Sequence, residues 1–77
     1  MTFQKLVKYD RHARRRMKWR KISQAEVEQT LNKPDKTELT PEGRKNAFKA
    51  IGHRYIKVTY REFPNELLVI SAVDKAD

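Results

Sequence analysis

The side chains that could do chemistry are concentrated near the start of the chain. His12, Arg16 and Arg20 recur at i, i+4 and i+8, so on a helix they form one row along a face. Histidine is the residue type whose intrinsic pKa lies nearest neutrality, which suits it to moving protons in either direction. Guanidiniums are fixed cations that can hold a phosphate and stabilise a charged phosphorane. An imidazole and two guanidiniums in a row therefore make a candidate site for metal-free phosphodiester cleavage, which needs a base, an acid and fixed positive charge. The structural alternative has His12 bonded to backbone at a helix end, with Arg16 and Arg20 bracing a sheet or a second helix. Further cations lie later in the chain, at Arg54, Lys57 and Arg61. The stretch 54–61 alternates, which places Lys57, Thr59 and Arg61 on one face of a strand and Ile56, Val58 and Tyr60 on the other. Tyr60 then reads first as a core ring, and Arg61 equally as a solvated edge residue.

Composition narrows the chemistry further. The chain has no cysteine, so a disulfide, a thiolate metal site and a thiol nucleophile are all excluded. Asp10 and His12 flank Arg11, but two ligands do not make a metal site, and none is expected. Both glycines, Gly43 and Gly52, sit in turn contexts, so no phosphate-cradling loop and no cofactor is expected. No apolar run approaches the ~20 residues of a membrane span, and the mean hydropathy is −0.93. A cytoplasmic protein with no membrane partner is the expectation.

Charge points to a partner. Eighteen Lys and Arg against ten Asp and Glu give +8 over 77 residues. Residues 1–22 hold nine of the cations against Asp10 alone, while residues 23–77 balance at nine and nine. A field clustered this way attracts polyanions, of which nucleic acid is the commonest. Arg11, Arg14, Arg15, Lys18, Arg20 and Lys21 are the expected nucleic-acid contacts of the basic segment, joined by Arg54 and Lys57 from the strand. Trp19, among these cations, could stack on an unpaired base. The more ordinary place for such a ring is between helices and sheet.

The elements that must position these groups can be read in order. Phe3 to Tyr9 alternates weakly as a short strand, and Asp10 suits an N-cap. From His12 to Lys21 there is no Gly, Pro or β-branched residue, and Ala13 and Met17 form a narrow apolar stripe. Ser23-Gln24-Ala25-Glu26 is a capping box, with Ile22 and Val27 placed as its hydrophobic staple. Pro34 ends that second helix. Lys36 to Thr40 reads as a polar strand, Pro41-Glu42-Gly43 as a turn, and Asn46 to Ile51 as a second strand. Gly52-His53 can close a hairpin into 54–61, and Phe63 to Glu66 turns the chain into the apolar run Leu67 to Val73. One small domain over residues 1–77 results.

Two stretches carry a family resemblance. His12-Ala13-Arg14-Arg15-Arg16-Met17-Lys18-Trp19-Arg20-Lys21-Ile22 reads H-A-x-x-R-M-x-x-R-x-I, followed by Ser23, Val27, Leu31 and Pro34. It resembles the opening of a family of short, largely uncharacterised prokaryotic proteins, in which the residue before the Ile is often Gly rather than Lys21. Ala50-Ile51-Gly52, Ile56-Lys57-Val58-Thr59-Tyr60-Arg61 and Val69-Ile70-Ser71-Ala72 are similar to the strands of BrnT-type toxins of the RelE/ParE-like superfamily. The basic residue usual after I-S-A is replaced by Val73.

The resemblance implies an α+β fold, with two N-terminal helices packed on a small antiparallel sheet of about four strands. It also implies the toxin of a type II toxin–antitoxin system, a metal-independent endoribonuclease acting on mRNA. RelE-like enzymes rely on strand-borne Arg, Lys and Tyr, so by resemblance Arg61 becomes a phosphate stabiliser and Tyr60 an acid or base beside His12 and Arg16. RNA, a cognate antitoxin and the ribosome are the implied partners, and open sheet edges leave room for a homodimer. The rivals on the same scaffold are a non-catalytic RNA- or DNA-binding module and a domain whose basic face clasps an acidic antitoxin. ParE-like members are associated with gyrase, so that target stays open beside RNA.

Overall fold

The computed structural model describes residues 5–76. β1 (Leu6–Tyr9) is followed by α1 (Arg11–Arg20) and α2 (Gln24–Asn32), then by β2 (Lys36–Leu39), β3 (Lys45–Ile51), β4 (Arg54–Glu62) and β5 (Glu66–Asp74). Among the described residues the strands form a single five-stranded sheet in the order β1-β5-β4-β3-β2. Phe3, read as the start of the first strand, lies outside the described residues.

This corrects the expectation of two N-terminal helices on an antiparallel sheet of about four strands. The strand read before the helices is present at Leu6–Tyr9 and joins the sheet as a fifth member, and the sheet is mixed. β2 through β5 pair antiparallel in sequence order. β1 instead runs parallel to β5, from Leu6 opposite Glu66 to Tyr9 opposite Val69. Neighbouring antiparallel strands announce themselves through turn residues, as Gly52 does between Ile51 and Arg54. Its φ of +60° is the backbone that the first central position of a two-residue II′ hairpin requires. A parallel partner on the far side of two helices and three strands leaves no such local mark.

Both helices begin on caps that the sequence spells out. The Asp10 carboxylate accepts the His12 amide at 2.8 Å. Ser23 and Glu26 close the capping box reciprocally, with the Glu26 amide donating to Ser23 Oγ at 3.1 Å and the Ser23 amide to Glu26 Oε1 at 2.9 Å. α1 ends as a Schellman motif, in which the Lys21 amide donates to Lys18 O and the Ile22 amide to Met17 O. That motif needs a left-handed residue, and Lys21 supplies it at φ +58°. A side chain is disfavoured there by about 1–2 kcal/mol. Lys21→Gly is expected to raise stability by about 1 kcal/mol, a rise in Tm of ~4–8 °C for a domain this small; thermal unfolding checks it.

The core is thin and lies between the helices and one side of the sheet. Ala13, Met17, Ile22 and Val27 meet Ile56, Val58, Val69 and Ala72, with Val7, Tyr9, Leu31, Ile51 and Tyr60 around the margin. Phe48 is buried separately, stacked on Tyr55 at 5.8 Å between ring centroids with the Lys36 ammonium 4.9 Å from its own. Trp19 takes no part in either cluster and is 84% exposed, against the expectation that its ring packs between helices and sheet.

Glu62 ties three strands together at one end of the sheet. Its carboxylate pairs with Lys5, just before β1, and accepts from Lys45 of β3 at 2.6 Å. Those bonds lower its pKa from the ordinary 4.5 to about 2. A carboxylate held low stabilises the fold above its unfolded pKa, and that contribution is lost as pH falls from about 4.5 towards 2. The side chain is about a third exposed, so screening limits the two pairs to about 1 kcal/mol together. Acid titration of stability should therefore flatten in Glu62→Gln over this window, as read by denaturant unfolding at stepped pH.

Candidate nucleic-acid interface

α1 lies where β1 stops. β1 covers the outer edge of β5 only as far as Val69, and the chain turns there, with the Asp10 amide donating to Val69 O at 3.0 Å. Beyond that point α1 packs on β5. Arg20 closes the arrangement by donating from Nη1 to Ala72 O at 3.0 Å, which satisfies a strand carbonyl with a side chain rather than a neighbouring strand. Arg20, expected as a nucleic-acid contact, is a brace.

A cleft of about 490 Å³ opens along this edge, lined by Asp10, His12 and Arg16 from the start of α1, Arg44 from the β2–β3 turn, Thr59 of β4, and Ile70 and Ser71 of β5. His12 and Arg16 are thus brought together on one helix face, as their i, i+4 spacing implied. His12 Nδ1 lies 3.4 Å from Asp10 Oδ1, so one carboxylate both caps the helix and faces the imidazole. On the opposite wall the sheet is bulged: Thr59 pairs with Ser71 and Tyr60 with Val69, which leaves Ile70 as the extra residue of β5. Thr59 Oγ1 donates to Asn46 Oδ1 at 2.7 Å, and Asn46 is buried, so that hydroxyl is fixed in place. Arg44, Thr59 and Ser71 were not singled out as site residues by spacing. Thr59 carried a faint signal, sharing a face with Lys57 and Arg61, but no local pattern joins Arg44 to the start of α1.

The other candidates fall elsewhere. Tyr60 is half-buried at the core margin and lines a separate hollow with Leu39 and Lys45. Burial raises its pKa, so the phenol keeps its proton at neutral pH. Arg61 is exposed and stands opposite Leu68, outside the cleft. The structure therefore does not bring Tyr60 or Arg61 to His12. Lys57 is half-buried between Phe48 and Val73 on the neighbouring strands. Arg54 is committed to structure: its guanidinium donates to Lys21 O at 2.9 Å and pairs with Glu26 at 3.2 Å and Asp74 at 3.8 Å.

Carboxylates hold part of the positive charge. Glu26 and Asp74 hold Arg54, Glu62 holds Lys5 and Lys45, Glu66 holds Lys8, Asp35 faces Lys49, and Glu38 faces Lys36. Among the described residues no such partner reaches Arg11, Arg14, Arg15, Arg16 or Lys18, all of them exposed on α1. Lys33, Arg44, Lys57, Arg61 and Lys75 likewise make no ion pair among the described residues, but they are dispersed, whereas α1 gathers five such cations on one element. The two guanidiniums of the cleft, Arg16 and Arg44, both belong to the unpaired set. No group of three or more potential metal ligands occurs among the described residues. No helix among them is long and apolar enough to cross a membrane.

No curated protein and no solved structure matches the chain. One family model does, described as a domain of unknown function (DUF4258), over residues 9–74. Its span runs from the end of β1 to the end of β5 and takes in the whole cleft. Covering well over half of the chain, this match places the protein in the DUF4258 family.

Proposed function

We propose that the protein binds RNA along α1 and cleaves it at the α1–β5 cleft without metal, as the endoribonuclease toxin of a toxin–antitoxin pair. The observation that carries this reading is the grouping of unpaired guanidiniums, Arg16 and Arg44, with an imidazole backed by a carboxylate. In the reaction His12 takes the proton of a 2′-hydroxyl, and the 2′-oxygen attacks the adjacent phosphorus. The bond from phosphorus to the 5′-oxygen breaks, and the imidazolium returns the proton to that leaving oxygen. The products are a 2′,3′-cyclic phosphate and a 5′-hydroxyl, with no water, metal or oxidant consumed. Arg16 and Arg44 stabilise the extra negative charge of the phosphorane. The α1 motif that resembles a small prokaryotic family, and the strands similar to BrnT-type toxins, support the biological assignment. An acidic antitoxin segment would find its counter-charges on the same helix.

The test is a labelled DNA oligonucleotide carrying one ribonucleotide, incubated with the protein in excess EDTA. Cleavage 3′ to the ribonucleotide, leaving a cyclic phosphate, is expected, with none in the all-deoxy control. Cleavage of both, or loss of activity on chelation, would overturn the mechanism.

One observation favours a non-catalytic RNA-binding module as the second reading. Among the described residues His12 is the one imidazole lining the cleft, Asp10 is committed to the helix cap, and Tyr60 lines a separate hollow, so the mechanism asks His12 to serve as both base and acid. Binding with no cleavage at any metal or salt condition would select that reading.

A further inference from the structure

Trp19 stands out on a helix otherwise explained by its cap, its apolar stripe and its charge. An indole usually ends in a core or an interface, where it buries ~150–250 Å². Here it is 84% exposed. With Arg15, Lys18 and Lys21 it lines an open hollow, and it also borders a second hollow with Arg54 and Asp74. Asp74 is already held by Arg54, whereas Arg15 and Lys18 have no carboxylate partner among the described residues. The ring is therefore an aromatic surface set in uncompensated positive charge.

Its position along α1 relates it to the cleft. His12, Arg16 and Trp19 follow at i, i+4 and i+7, which keeps them on one helix face. At 1.5 Å of rise per residue the indole stands about 10 Å along the axis from His12. A strand held at the cleft passes over Trp19 within a few nucleotides.

We infer that Trp19 is the base-stacking platform of this surface and that it makes the site select unpaired RNA. One base stacks on the indole, its flanking phosphates lie on Arg15 and Lys18, and the strand continues to Arg16 and His12. Every base has a π-face, so stacking adds affinity without demanding a sequence. In a duplex both faces of each base are already stacked, and the platform finds no partner. The inference rests on the RNA reading above and names its substrate class.

Trp19 is the chain's only tryptophan, so its fluorescence reports on this ring alone. The experiment titrates the protein with a short unstructured single-stranded RNA, the same sequence as a duplex, and inorganic polyphosphate. Binding is followed in parallel by anisotropy of labelled RNA and by competition. Single-stranded RNA is expected to quench Trp19, and polyphosphate to compete for binding without quenching. Trp19→Ala is expected to weaken single-strand binding about tenfold, the effect of losing one stacked base, and to leave polyphosphate competition within about twofold. Trp19→Phe should recover most of the loss. If Trp19→Ala binds single strands as the unaltered protein does, or if the duplex quenches equally, the inference is overturned while RNA binding itself stands. If the unaltered protein binds no RNA even at low salt, the RNA reading falls and takes this inference with it.

Discussion

His12→Ala is expected to lower RNA cleavage by about 10²–10⁴-fold, the usual worth of a positioned acid or base, while RNA affinity changes little. The side chain is 76% exposed and belongs to no core cluster, so unfolding cannot account for the loss. The capping bond uses the His12 amide rather than its ring and survives the substitution. Asp10→Asn supplies the companion measurement. Asn caps a helix about as well as Asp, so stability should hold. Cleavage should fall all the same, because the carboxylate 3.4 Å from His12 Nδ1 no longer carries a charge to orient the ring and balance its protonated form. Asp10→Ala, by contrast, should cost about 1 kcal/mol of stability through the lost cap. Single-turnover cleavage rates alongside thermal unfolding separate the two effects. Equal cleavage by His12→Ala and the unaltered protein would remove His12 from the chemistry.

The second large effect is on binding. Arg11, Arg14 and Lys18 are exposed and make no ion pair among the described residues, so replacing all three with Gln removes charge and breaks no ion pair. Arg14 loses only its electrostatic interaction with the half-buried Tyr9 hydroxyl. Gln has nearly the helix propensity of Arg and Lys, and stability should be unchanged. At about 1 kcal/mol for each lost phosphate contact, affinity for RNA at low salt should fall about 100-fold. The slope of log K against log salt should shrink by about 2, at ~0.7 for each contact on a single strand. Lys33→Gln with Lys75→Gln tests whether the effect is one of place or of net charge. Both are exposed and lie off α1, and their removal should shift the slope far less. Equal effects per charge removed from the two sets would mean that the protein attracts RNA only through its overall charge.

How far these features were legible depended on how local their causes are. The capping box at Ser23 and Glu26, the cap at Asp10 and the i, i+4 pairing of His12 with Arg16 each arise within one helical turn, and the sequence spells them out. The tight turn at Gly52 is similarly local. The parallel pairing of β1 with β5 joins the two ends of the fold, and nothing between them encodes it. For that reason the first strand was not expected to join the sheet, which was read as about four strands and without its parallel pair. The cleft divides along the same line. Its helical wall could be read from spacing, whereas Arg44, Thr59 and Ser71 arrive there only through packing and a bulge. The fates of the arginines were open for the same reason. Arg20 and Arg54 look like Arg14 and Arg15 in the sequence, yet they meet a strand carbonyl and two carboxylates, and become braces. Trp19 went the other way: the core is filled by Ala13, Met17 and the aliphatic residues of β4 and β5, and the narrow apolar stripe of α1 left the indole outside.

The most direct test incubates the purified protein with labelled single-stranded RNA in excess EDTA at low and moderate salt. Binding and cleavage are followed in the same samples, with Arg16→Gln as the comparison. Arg16 makes no ion pair among the described residues, so its replacement should leave the fold intact. The expected result is salt-sensitive binding and chelator-resistant cleavage by the unaltered protein, with cleavage lost in Arg16→Gln and binding only weakened. Cleavage that persists undiminished in Arg16→Gln, or an absence of RNA binding at low salt, would contradict the placement of an RNA-cleaving site between α1 and β5.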